Sequence, residues 1–74
     1  MTNREKINQW MIEGYKQAEQ FKLTIPSACR FIRNYIVDKI TEAYKDNLEI
    51  QTKLIDYVNA LSDKEIQKTS RQQL

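Results

Sequence analysis

Gly14 and Pro26 are the only glycine and the only proline in a chain of 74 residues, and nothing else in the sequence narrows the fold as far. Hairpins and tight turns draw on Gly, Pro and Asn-Gly or Asp-Gly pairs. Such signals are nearly absent here, while Glu, Lys, Gln, Ile and Leu recur with apolar residues three and four apart, the period of an amphipathic helix. An all-α domain of three to four helices is expected.

Local signals divide the chain. Thr2 and Glu5 have the spacing of a capping box, in which the hydroxyl meets the N3 amide and the carboxylate reaches back. The first helix should therefore start at Thr2, and its apolar face is Ile7, Trp10, Met11, Tyr15, Ala18 and Phe21. Leu23-Thr24-Ile25-Pro26 interrupts it, because proline disfavours helical geometry in the residue before it yet suits a helix's first turn. Thr24 or Ser27 would cap the second helix. Its stripe, Ala28, Phe31, Ile32, Tyr35, Ile36, Ile40, Ala43 and Tyr44, runs to about Lys45. That stripe fits one long helix or two with a joint near Asn34.

Asp46-Asn47 gives the next cap, followed by the stripe Ile50, Leu54, Ile55, Val58 and Leu61, with Glu49 four residues before Lys53. Ser62 and Glu65 repeat the capping-box spacing before Ile66, predicting a short last helix. One domain over residues 1–74 is expected, with a polar tail from about 67 to 74 that frays.

With 41% apolar residues and seven aromatic rings, the chain has enough buriable surface for a core. At this size one core supplies only about 3–5 kcal/mol of net stability. A homodimer contact through the third helix is therefore expected. Apolar runs stop at three residues, as in Trp10-Met11-Ile12, far short of the roughly 18 that would span a bilayer. The first ten residues lack the apolar core of a secretory leader, so a cytoplasmic protein without a membrane partner is expected.

Histidine is absent and Cys29 is the one cysteine. That combination closes off Cys-His nucleophiles, imidazole bases and Cys/His zinc cages, and Cys29 reads as small apolar filler. Asp38 and Glu42, one turn apart, read as a solvated helix face. No enzyme activity, cofactor or metal is expected. The net charge of +2 is uneven: Met1 to Lys39 has seven Lys/Arg against four Asp/Glu, and Ile40 to Leu74 five against six. The first half is the side that faces anions.

Ala18, Phe21, Leu23, Ala28 and Phe31 or Ile32 follow the spacing of a small residue in one helix, an apolar residue three further on, a turn, and apolar anchors along a second helix. Over about Gln17 to Arg33 the chain thus resembles a generic helix-turn-helix DNA-binding motif. Ala18 would allow close approach, and Phe21 and Leu23 would close the wedge between the helices. Lys22 stands where such turns usually have glycine and could take a left-handed turn only at a cost; Gln17 stands where an apolar residue is usual.

The resemblance implies a second helix in the major groove, with Lys22, Thr24, Ser27, Arg30, Arg33 and Asn34 facing DNA. Hydroxyls and amides there would meet phosphates or base edges, and arginine a guanine edge. The implied role is transcription regulation by DNA binding. The alternative is a small helical interaction module that regulates or inhibits a protein partner through an aromatic face with Trp10 and Tyr15, and does not bind nucleic acid.

Overall fold

The computed structural model describes residues 2–70, which form four helices and no strand. Helix α1 spans Asn3–Gln20, α2 Ile25–Ala43, α3 Leu48–Ala60 and α4 Asp63–Ser70. The chain is a small all-α domain. None of these helices is long and apolar enough to cross a membrane.

Caps set the boundaries. The Thr2 hydroxyl accepts the Glu5 amide at 3.2 Å and donates to the Glu5 carboxylate at 3.1 Å, so that carboxylate meets the side chain of Thr2 rather than its backbone amide. Ser62 and Glu65 form the full reciprocal box: the Glu65 amide donates to the Ser62 hydroxyl at 3.2 Å, and the Ser62 amide to the Glu65 carboxylate at 3.4 Å. Asn47 caps α3 by accepting the Ile50 amide at 3.2 Å. Thr24 occupies the N-cap of α2 in an extended conformation without a side-chain cap bond, and Pro26 lies in the first turn. That helix runs unbroken for 19 residues, without a joint at Asn34.

The fully buried apolar residues are Ile7, Met11 and Ala18 on α1, Cys29, Ile32, Ile36 and Ile40 on α2, Val58 on α3 and Ile66 on α4. The α2 set steps by three and four and faces every other helix: α2 packs against α1, α3 and α4, and α1 also packs against α4. Helix α4 continues to Ser70, whose side chain is buried with its hydroxyl on the Ile66 carbonyl. Residues 67–70 of the expected polar tail are thus helical, and the rest of it, 71–74, lies outside the described residues.

Helices α1 and α2 lie alongside each other in antiparallel sense. Contacts run from Tyr44, whose phenol donates to Asn3 Oδ1 at 2.6 Å, to Phe21 and Phe31, whose ring centroids are 5.6 Å apart. Midway, Tyr35 packs on Gly14 and donates its phenol hydrogen to Glu13 at 3.0 Å. A Cβ on Gly14 would meet Tyr35 Cδ1 at 3.2 Å, so α2 packs tightly on α1 at Gly14. A steeply crossing pair touches only near its turn; this pair stays in contact over both helices.

Candidate functional site at the hairpin tip

Residues 21–24 join α1 to α2. The Phe21 amide donates to the Ala18 carbonyl and the Lys22 amide to that of Glu19, each at 3.1 Å. Lys22 then takes φ 51°, the one positive φ among the described non-glycine residues. This left-handed residue stops α1 where glycine commonly does, and it swings the next three residues outward.

The result is an exposed apolar tip. Phe21 is 62% exposed, Leu23 38% and Ile25 57%. Phe21 and Leu23 therefore do not close the wedge between the helices. The turn comes one residue after Phe21, too early for either side chain to reach back into the core. Phe21 rests against Phe31 of α2 at an interplanar angle of 55°, and this contact leaves most of its ring uncovered.

Polar residues share the tip. Lys22, Thr24, Ser27, Arg30 and Asn34 are all exposed, and Ser27, Arg30 and Asn34 fall on one outward face of α2, opposite Cys29, Ile32 and Ile36. From Gln20 to Val37 the chain has no Asp or Glu. Glu19, at the end of α1, is the nearest acid in sequence, and Lys22 and Arg30 have no ion-pair partner among the described residues.

Arg33 is different. Its Nη1 donates to the Val58 carbonyl at 2.6 Å and its Nη2 to the Asp63 carboxylate at 3.1 Å, with only 21% of its side chain exposed. The guanidinium ties α2 to the corner between α3 and α4. Two of its five N–H donors are engaged within the fold, which holds the group at the α3–α4 corner.

The remaining chemically notable groups are structural. Cys29 is buried, and its thiol faces the Asp63 carbonyl at 3.7 Å. Trp10 and Tyr15 are half-buried against the core, so the exposed aromatic is Phe21 instead. Asp38 and Glu42 are exposed, and among the described residues no three His, Cys, Asp or Glu side chains cluster closely enough to hold a metal. Burial, and then the hydrogen bond to Glu13, push the Tyr35 phenol above its ordinary range.

The exposure of the tip was foreshadowed by Leu23 and Ile25, apolar residues in a segment that belongs to no helical stripe. Nothing in the spacing marked Phe21 as exposed, since it continues the α1 face. No protein-family model, curated protein or solved structure matches the chain.

Proposed function

We propose that this chain is a docking module that acts in the cytoplasm on a protein partner, gripping it through the α1–α2 tip, and that it performs no catalysis. The observation that carries this reading is the exposure of Phe21, Leu23 and Ile25 at one turn. Covering a large apolar side chain is worth about 1.5–3 kcal/mol, and clustered exposed apolar residues mark interaction sites. Lys22 and Arg30 flank the cluster, so the matching surface is an apolar cleft with an acidic rim.

DNA binding through Lys22, Thr24, Ser27, Arg30 and Asn34 is the second reading, with transcription regulation as its role. It is favoured by the left-handed turn at Lys22 and the acid-free segment from Gln20 to Val37. Two observations rank it lower. Arg33 is bonded within the fold, and the tip exposes three large apolar side chains, Phe21, Leu23 and Ile25, whereas DNA interfaces are polar and strongly positive.

One set of variants separates the two. In the docking reading, Phe21→Ser/Ile25→Ser loses a co-purifying protein that the wild type and Arg33→Lys retain. In the DNA reading, mobility shifts on random duplexes weaken with salt, with a slope of about −0.9 per neutralised phosphate in log K against log salt, and Arg30→Ala lowers that slope. A partner retained by the double serine variant removes the docking reading. Absence of salt-dependent DNA binding removes the other.

A further inference from the structure

The end of the hairpin away from the tip carries a concave surface. The backbones of α1 and α3 do not approach each other closely; both pack on α2, leaving between them a furrow of about 350 Å³ lined by Asn3, Arg4, Ile7, Leu54 and Tyr57. Its apolar part is set by the core: Ile7 is fully buried, and Leu54 and Tyr57 are half-buried against it. Asn3 and Arg4, in the first turn of α1, are exposed and supply the polar groups. The furrow is on the scale of one small molecule, since pockets for such ligands run from roughly 300 to 1,000 Å³.

Charge selects the ligand. No Asp or Glu lines the furrow, and among the described residues no carboxylate pairs with Arg4. Glu5, beside Arg4 in sequence, accepts the Thr2 hydroxyl, and Glu49 of α3 is paired with Lys53 at 3.5 Å. Arg4 lies over the Tyr57 ring, 5.9 Å from its centroid. A guanidinium held over a ring keeps N–H donors at its edge, and that edge matches the two oxygens of a carboxylate. Asn3 is fixed from the side of α2: its Oδ1 accepts the Tyr44 phenol at 2.6 Å, so its amide nitrogen is left as the donor, with no acceptor among the described residues. Two donors and one positive charge beside an apolar trough disfavour a cation and match an anion that carries hydrocarbon.

We infer that the α1–α3 furrow binds a small carboxylic acid with an apolar body, its carboxylate on Arg4 and Asn3 and its hydrocarbon along Ile7, Leu54 and Tyr57. The bound acid bridges two helices whose backbones stay apart. A free acid and the C-terminal residue of a peptide both carry this chemistry. The furrow lies by Asn3 and the tip by Phe21, at opposite ends of α1, so the site does not depend on what the tip binds.

The test is an NMR titration of the full chain with octanoate as the free acid and N-acetylleucine as the peptide end, beside octanol, which keeps an apolar body and lacks the charge. Saturable amide shifts at Asn3, Arg4, Ile7, Leu54 and Tyr57 are expected at millimolar acid, and the acid that binds more tightly names the source. Arg4→Gln, its fold checked by its own amide spectrum, should weaken binding about fivefold, the scale of one exposed ion pair. Phe21→Ser/Ile25→Ser should leave binding unchanged. Absence of saturable shifts with both acids overturns the inference. So do shifts that octanol reproduces with equal affinity, binding that Arg4→Gln leaves unchanged, or shifts centred on residues 21–25.

Discussion

Arg33 on α2 donates to the Val58 carbonyl at 2.6 Å and so holds α3 from a distance of 25 residues in sequence. The acceptor is a main-chain carbonyl near the end of α3 that also accepts the Leu61 amide at 3.2 Å, so Arg33 takes its second lone pair. Arg33→Ala should lower stability by about 1–3 kcal/mol, chiefly through this bond. The accompanying pair with Asp63, whose side chain is 60% exposed, adds at most about 1 kcal/mol. Urea denaturation would measure both: Asp63→Ala should cost clearly less than Arg33→Ala, and equal costs would mean that the carbonyl bond contributes nothing.

Lys22 is strained by its own backbone. Lys22→Gly relieves φ 51° and should stabilise the fold by up to about 1 kcal/mol, while Lys22→Val should destabilise it, since a β-branched residue tolerates that region worst. Melting temperatures of the two variants should fall on opposite sides of the wild type. If Lys22 faces an anionic partner, the glycine variant will also be the more stable protein and the weaker binder.

Gly14→Ala tests the hairpin contact. In an open helix the change would gain about 1 kcal/mol, but here the new methyl lies 3.2 Å from Tyr35 Cδ1 and 3.4 Å from Tyr35 Cβ and Cγ. The Tyr35 ring has little room to retreat, because its hydroxyl is bonded to Glu13 and Lys39 Nζ lies 5.4 Å from its centroid. The substitution should cost about 1 kcal/mol in the wild type and become stabilising in a Tyr35→Ala background. A double-mutant cycle by chemical denaturation reads the reversal.

Tyr35 also gives the fold an alkaline edge. Its phenol ionises at higher pH in the folded chain than in the unfolded one, burial being the main cause. Between those two values the folded state holds more protons, so its stability is constant below the ordinary phenol range and falls as pH rises through and above about 10. Denaturation midpoints from pH 8 to 11.5 should show this fall, and Tyr35→Phe should remove part of it. Equal pH profiles for the two proteins would contradict the assignment.

Ser62→Ala removes the reciprocal cap of α4 and should cost about 1 kcal/mol. Hydrogen exchange should report faster opening at Glu65 and Ile66 than at Ile36, because α4 contributes a single large apolar side chain, Ile66, to the core.

What could be read from the sequence was local. Thr2, Asn47 and Ser62 were recognisable caps because a cap and the amide it meets lie three residues apart, and the α2 stripe of Ile32, Ile36 and Ile40 followed from period alone. Thr24, Ser27, Arg30 and Asn34 lie on the outside, where a polar residue on the far side of such a stripe falls by default. Arg33 was beyond reach of the same reasoning, since its partners arrive only when α3 and α4 fold back 25 and 30 residues later. Phe21 misled for the converse reason: its spacing belongs to α1, but the left-handed residue beside it ends the helix before the core.

Every fully buried apolar residue except Val58 and Ile66 belongs to α1 or α2. Contacts within the hairpin need only the short turn at 21–24 to close, so they form at a lower entropic cost than those that bring in α3 and α4. The α3–α4 corner arrives as a latch, and Arg33 is the catch already in place to receive it.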